Sequence, residues 1–146
     1  MRLRPLLAVL VTTSLIAACS SGPMRKVHPS TASIQQLAVL PDGHWKITLR
    51  IQNYSTFAMH FSGVDAKLTV DGKDAGQVAA APDLDIVGNN GDVISVTLAA
   101  TAKLPASGDF VYQLKGTIDT SEPKETFKFD TSSRLSPVPG VANTYR

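Results

Sequence analysis

The chain has 146 residues, enough for one domain with a single core, and its only cysteine excludes an intrachain disulfide. It carries 14 Lys and Arg residues against 12 Asp and Glu residues. The basic residues are spread along the sequence, whereas nucleic-acid binding needs Lys and Arg clustered on one face. We therefore expect no nucleic-acid partner.

The first eighteen residues have the pattern of a signal peptide. Arg2 and Arg4 form a short basic region, and an uncharged apolar run of thirteen residues, 6–18, follows them. This run fits the apolar core of a secretory signal, whereas a membrane-spanning helix needs about 20 residues. We expect residues 1–18 to be removed on export. Loss of the two arginines would leave twelve basic and twelve acidic side chains, a formal net charge of zero.

The residues at the expected cleavage point resemble the lipobox of bacterial lipoproteins. Ile16, Ala17 and Ala18 precede Cys19, as an aliphatic residue and two small residues precede the invariant cysteine of lipoproteins. The resemblance implies that Cys19 is lipidated and that its acyl chains bind the protein to a membrane, since two or more chains anchor stably. Ser20 stands where an aspartate would signal retention in the inner membrane, so we expect the outer membrane, facing the periplasm. The alternative is an ordinary secretory signal with an incidental cysteine.

Beyond the signal, composition divides the chain into three parts. Residues 19–30 are rich in Ser, Gly and Pro without periodicity, which predicts a lipidated tether that lifts the domain off the membrane. Residues 31–130 have the pattern of β-strands throughout. Residues 131–146 predict a flexible C-terminal tail.

The first three predicted strands differ in how regular they are. The strand over 34–40 has apolar positions that are not cleanly in phase. The strand from His44 to Asn53 alternates strictly between apolar and polar residues, which predicts one buried and one solvated face. The third begins with apolar residues at 57, 59 and 61 and changes phase at Ser62-Gly63, which indicates a β-bulge or kink.

Turn signals separate the later strands. Asp71-Gly72 predicts a tight hairpin with a weak return strand over 75–79, and Asn89-Asn90-Gly91 predicts a turn into an alternating strand over 94–98. The loop 105–109 precedes a strand over 110–118, and two phenylalanines mark the last strand. About seven strands with regularly spaced turns predict an all-β fold, an antiparallel β-sandwich like immunoglobulin or fibronectin type III domains. The side chains expected in its core are Trp45, Ile47, Leu49, Ile51, Leu68, Leu114 and Phe129.

Candidates for catalytic or metal chemistry are few. The three histidines, His28, His44 and His60, lack the spacing of metal ligands, and no serine lies in a Gly-x-Ser-x-Gly context. Asp83 and Asp85 project to one side of an extended segment, but calcium needs about six to eight oxygen ligands, so a solvated pair is the preferred interpretation. We expect no catalytic residue, no cofactor and no metal site, and therefore no enzyme.

The order of turns resembles a known family. The alternating strand from Trp45 runs into the turn Asn53-Tyr54-Ser55, and a further strand then leads to the Asp71-Gly72 hairpin and to Gly76. Residues 112–116 supply an aromatic-x-aliphatic-x-Gly strand. Together these features resemble the late embryogenesis abundant type 2 family, also called the water stress and hypersensitive response (WHy) domain.

The resemblance covers residues 34–130 and departs from the family at Tyr54, where proline is usual. It implies a seven-stranded sandwich without known catalytic residues. Relatives are associated with desiccation and cold stress, and some with membrane contact or lipid handling. We therefore expect a non-catalytic, membrane-anchored envelope protein that binds or shields other molecules under water stress. The alternatives are a subunit of an envelope assembly, which would bind a protein partner through a sheet edge, and a lipid-handling module.

Overall fold

The computed structural model describes residues 22–146, which form an all-β domain and confirm the predicted fold class. The described part contains nine strands rather than about seven, because two short strands, β5 and β9, have no signal of their own in the sequence. The strands in chain order are β1 (Thr31–Val39), β2 (Trp45–Asn53), β3 (Met59–Val70), β4 (Lys73–Ala80), β5 (Leu84–Ile86), β6 (Asn90–Leu98), β7 (Phe110–Glu122), β8 (Lys124–Leu135) and β9 (Thr144–Tyr145).

Two antiparallel sheets form the sandwich. One sheet has the strand order β6-β2-β1-β9, and the other has the order β4-β3-β7-β8 with β5 also pairing with β3. The long strand β3 pairs with β7 along one edge. Along its other edge it pairs first with β5, at Met59–Phe61, and then with β4, at Val64–Val70. This arrangement brings the short strand β5 beside the beginning of β3, where the site described below lies.

The core lies between the two sheets, as the alternation predicts. All seven side chains expected there are buried, with at most 6% of any of them exposed. β2 alternates strictly between buried and more accessible residues, since successive side chains of a strand point to opposite faces. Full burial of a Leu, Ile or Phe side chain stabilises a fold by about 1.5–3 kcal/mol, so this set supplies much of the driving force for folding.

The two irregular strands contain β-bulges. The pairing of β3 with β7 shifts register between His60 and Gly63, which confirms the kink predicted from the phase change. The pairing of β1 with β2 shifts between Ile34 and Gln36, which explains why the apolar positions of β1 are out of phase. At this bulge the Ile34 N–H donates to the buried Tyr112 hydroxyl of the opposite sheet at 3.0 Å.

The hairpin and one glycine depend on residue type. Asp71 and Gly72 both have positive φ, 47° and 76°, as a type I′ turn requires, and they join β3 to β4 as predicted. Gly116 of β7 is the cross-strand partner of Ala66 in β3, and a Cβ there would overlap the carbonyl oxygen of Asp65 and the backbone of Ala66. The glycine that closes the aromatic-x-aliphatic-x-Gly pattern is therefore required by close strand packing.

The prediction of a flexible tail over 131–146 is wrong. β8 continues to Leu135, which is buried opposite Phe110 of β7. The chain then returns, and β9 pairs with β1, while the backbones of Ser136 and Arg146 exchange two hydrogen bonds. The Tyr145 ring packs edge to face on Phe110 at 5.1 Å between centroids. These contacts order the segment mainly through backbone pairing. Because backbone pairing does not require apolar side chains at regular intervals, the sequence of this segment shows no periodicity.

The expected signal peptide, residues 1–18, and the expected lipidation site, Cys19, lie outside the described residues. Within residues 22–146, no helix is long and apolar enough to cross a membrane.

Candidate functional site

The N-terminal segment is bound along the loop that joins β2 to β3. The Thr56 N–H donates to the Lys26 carbonyl at 3.0 Å, and the Lys26 N–H donates to the Thr56 hydroxyl at 2.9 Å. The Thr56 hydroxyl in turn donates to the Met24 carbonyl at 2.9 Å, and the His28 N–H donates to the Ser55 hydroxyl at 2.9 Å. Contacts at every second residue are typical of an extended strand. Of the tether predicted over residues 19–30, residues 24–30, which we call the docked segment, therefore lie against the domain and do not act as a spacer.

Asn53 holds this loop in place. It is fully buried at the end of β2, and its side-chain amide donates to the carbonyls of Phe57 at 3.0 Å and Ile86 at 2.9 Å. Its side-chain oxygen accepts from the Ser55 N–H at 2.9 Å. One side chain thus joins the β2–β3 loop to β5. The side-chain amide of Asn can donate and accept hydrogen bonds at the same time. This explains why an asparagine begins the Asn53-Tyr54-Ser55 turn.

The segment after β5 packs directly on the same loop. The Asn89 N–H donates to the Ser55 carbonyl at 2.9 Å. A Cβ at Gly88 would lie 2.5 Å from the backbone of Thr56 and Phe57, so only glycine fits there. The docked segment, the β2–β3 loop, residues 87–89 and the turn between β7 and β8 form one end of the sandwich, which we call the tether end.

A cleft of about 670 Å³ opens at the tether end. Its walls come from the docked segment, the β2–β3 loop, β3, β5 and the turn between β7 and β8, and its lining includes Arg25, Val27 and Phe57. The guanidinium of Arg25 stacks over the Phe57 ring at 4.2 Å from the ring centroid, a cation–π contact that closes one side of the cleft. The docked segment is therefore part of the cleft wall.

His60 lies on the wall of this cleft between two carboxylates. Its Nδ1 is 2.8 Å from a carboxylate oxygen of Asp85, its cross-strand partner in β5, and its Nε2 is 3.0 Å from Asp83. The hydrogen bond to Asp85, followed by the one to Asp83, raises the pKa of His60 above its ordinary value of 6.5. We call these three residues the histidine clamp. The sequence suggested a solvated aspartate pair and gave no sign that His60 joins it.

The histidine clamp is poorly suited to general-base catalysis. A general base needs a ring nitrogen free to accept a proton from a nucleophile or water. Both nitrogens of His60 are already hydrogen-bonded, so neither is free to accept a proton from Ser121, which also lines the cleft. Within residues 22–146 no three His, Cys, Asp or Glu side chains are grouped to hold a metal ion.

A second cleft, of about 500 Å³, lies at the other end of the sandwich, which we call the opposite end. Its lining includes Trp45, Leu104 and Tyr145, from the start of β2, the loop before β7 and β9. The Trp45 side chain is only 3% exposed, so it belongs mainly to the core, as the sequence predicts.

The candidate residues from the sequence are distributed over both ends. His28 and His60 lie at the tether end, although His28 takes part through its backbone and not its ring. His44 pairs with Asp42 in the turn before β2, at the opposite end. The structure brings together only His60, Asp83 and Asp85 among them, and the contribution of the docked segment has no periodicity that would have revealed it.

No family model matches the sequence, and no curated protein matches it. A protein from Arabidopsis thaliana, with a structure determined in solution, has a similar fold with a TM-score of 0.51. The two are 9% identical over 83% of this chain and 85% of the other, which shows a shared fold and nothing further. A crystal structure of a protein from Archaeoglobus fulgidus is 12% identical over 77% of this chain and 98% of the other, with a TM-score of 0.42. That score is too low to establish a shared fold.

Proposed function

We propose that this chain is a lipid-anchored, non-catalytic binding protein of the cell envelope, of the WHy type. The observation that carries the proposal is the docked segment, whose backbone is hydrogen-bonded to the β2–β3 loop from Met24 to His28. A segment that only separates a signal from a secreted domain has no need of such contacts. An anchored protein gains from them, because they fix where the chain leaves the domain.

Two further features support a role in binding rather than catalysis. His60 has both ring nitrogens engaged by carboxylates, so neither nitrogen is available to contact a substrate. The sequence pattern Asn53-Tyr54-Ser55 followed by the Asp71-Gly72 hairpin resembles the WHy family, in which no catalytic residues are known. We infer a role in binding or shielding other molecules during water stress, in the outer membrane and facing the periplasm.

The anchoring is tested by the substitution Cys19→Ala. We expect the wild-type protein to carry acyl chains detectable by mass spectrometry and to sediment with membranes, and the variant to be soluble and unmodified. A variant that still sediments without acyl chains would refute lipid anchoring.

The stress role is tested in a deletion strain, which should grow normally in rich medium and survive drying or osmotic shock less well than its parent.

A subunit of an envelope assembly is the second candidate, and strand β6 favours it. Among residues 22–146, β6 pairs only with β2 and forms an edge of its sheet, and the stretch 93–98 contains neither a charged residue nor a proline. Edge strands usually carry such residues to prevent pairing with other chains. A partner strand added at β6 would be lost on Ser95→Pro, since proline removes a backbone donor. Crosslinking followed by purification should then recover a partner with the wild type and not with the variant.

A further inference from the structure

The tether end has an unusual share of exposed apolar side chains. Of the seven large apolar residues that are clearly exposed in the described chain, four lie there, namely Met24, Val27, Tyr54 and Val87. Single exposed apolar residues are ordinary on protein surfaces, but a group of them marks an interaction site.

Hydrogen bonds place these four residues around one loop. The Met24 carbonyl accepts from Thr56, and the Val87 carbonyl lies 3.4 Å from the side-chain amide of Asn53, next to Tyr54. Val27 lines the tether-end cleft with Phe57. Their exposed fractions range from 41% for Val27 to 71% for Met24. The four side chains therefore form an apolar surface around the β2–β3 loop.

Basic and aromatic residues accompany this surface. Arg25 and Lys26, the only adjacent basic pair in the sequence after the expected signal, lie in the docked segment between Met24 and Val27. Tyr54 is half exposed at the tip of the loop. Exposed Tyr, apolar side chains and Lys or Arg together are the composition of surfaces that lie at the headgroup level of a bilayer.

The expected lipid anchor on Cys19 would also lie close to this surface. Five residue steps separate Cys19 from Met24, and a fully extended chain spans at most about 3.6 Å per residue. Lipid on Cys19 would therefore lie within about 18 Å of Met24. Because Met24 is hydrogen-bonded to the domain, the tether end cannot move away from the membrane while the docked segment stays bound.

We propose that the tether end rests on the phospholipid surface, with Met24, Tyr54 and Val87 at the headgroup level and Lys26, on the same side of the extended segment as Met24, facing lipid phosphates. This inference rests on the proposed lipid anchoring. Its consequence is a fixed orientation, in which the opposite end, with Trp45 and the C terminus, points away from the membrane. In this orientation the domain contacts the bilayer directly and is not joined to it by a flexible linker alone.

The orientation can be measured with one introduced cysteine. Lipidation leaves the Cys19 thiol unreactive, so a new cysteine is the single site for a thiol-reactive fluorophore. Val87→Cys places the fluorophore at the tether end, and Val141→Cys places it at the opposite end on a valine of similar exposure, 52% against 57%. The full acylated protein is inserted into vesicles of phosphatidylethanolamine and phosphatidylglycerol that carry a headgroup spin label.

We expect the spin label to quench the Val87→Cys fluorophore several-fold more strongly than the Val141→Cys fluorophore. Equal quenching in a protein whose acylation is confirmed by mass spectrometry would overturn the inference and leave the anchoring intact. An unacylated protein would instead refute the proposed function. Shielding of the Val87→Cys fluorophore only by added envelope protein, without quenching by lipid, would assign this surface to a protein partner and also overturn the inference. If Val87→Cys does not fold, Met24→Cys probes the same surface.

Discussion

The two ends of the sandwich are closed by different kinds of bond. At the tether end, the side chains of Asn53, Ser55 and Thr56 hold the backbone of neighbouring segments. At the opposite end, the C-terminal segment is held by backbone pairing and by the packing of Tyr145 on Phe110. A bond made by a side chain is removed by a substitution that leaves the backbone unchanged, whereas a backbone pair is removed only by a substitution such as proline that alters the backbone itself. The tether end therefore depends more on individual polar side chains, and the opposite end more on apolar packing and backbone pairing.

The largest effect is expected from packing at the opposite end. Trp45→Ala removes the buried side chain that begins β2, and loss of a buried aromatic costs about 3–5 kcal/mol of unfolding free energy. Urea unfolding followed by circular dichroism measures this loss. Trp45→Phe, which keeps most of the apolar volume, should lose clearly less. A loss below about 1 kcal/mol for Trp45→Ala would mean that this end does not depend on aromatic packing.

A smaller but still large effect is expected from one polar side chain at the tether end. Asn53→Ala leaves the carbonyls of Phe57 and Ile86 and the N–H of Ser55 without their partner, and buried groups left unpaired cost about 1–3 kcal/mol each. Because the loop can relax toward water, we expect about 2–3 kcal/mol in total. Trp45 fluorescence during urea unfolding reports the change.

Asn90→Ala is the matched control for this substitution. Asn90 is exposed, and its side chain accepts one local hydrogen bond from Gly91, so its loss should change stability by less than about 0.5 kcal/mol. Equal effects of Asn53→Ala and Asn90→Ala would show that Asn53 does not hold the tether end.

Removal of one hydroxyl should weaken the attachment of the docked segment. Thr56→Val keeps the shape of the side chain but loses the hydrogen bonds to the Lys26 N–H and the Met24 carbonyl. Thr56 is exposed, so we expect less than about 1 kcal/mol of global destabilisation. Locally, amide hydrogen exchange at Lys26 should become about tenfold faster, because its N–H loses its acceptor and the segment opens more readily.

Thr101→Val tests whether such a change is specific to the tether end. Thr101 is also exposed, and its hydroxyl donates to the Asp74 carbonyl at 3.1 Å at the opposite end. Its backbone N–H bond to Ala75 remains in the variant. We expect no change in exchange at Lys26. Faster exchange at Lys26 in both variants would mean that the docked segment follows global stability and not its own contacts.

The contrast between the ends also explains which features the sequence predicts. Strict alternation, as in β2, reveals a strand because one face is buried, and paired turn residues such as Asp71-Gly72 fix a hairpin through their positive φ. These signals are local. They predict the fold class, the core and the long strands.

The features that the sequence does not predict depend on contacts between distant segments. The docked segment binds through its backbone, so its side chains show no pattern, and β9 is ordered by pairing with a strand more than a hundred residues away. The Tyr112 hydroxyl meets Ile34 only because a bulge in β1 exposes that N–H to the opposite sheet. The histidine clamp depends on the register of β5 against β3. The three residues of β5 are too few for the sequence to predict that register.

The histidine clamp gives the smallest effect and the sharpest test of the tether-end geometry. The hydrogen bonds to Asp85 and Asp83 raise the pKa of His60, so the folded state binds this proton more tightly than the unfolded state does. The resulting stabilisation is fully present below about pH 6.5 and is lost as the pH rises through the folded pKa. Because the clamp is accessible to water, the change in global stability should be slight.

An NMR titration of the His60 imidazole measures the pKa directly. Asp85→Asn should lower it more than Asp83→Asn, since the bond to Asp85 makes the larger contribution. A His60 pKa at or below its ordinary value in the wild-type protein would mean that β5 does not hold Asp85 against β3.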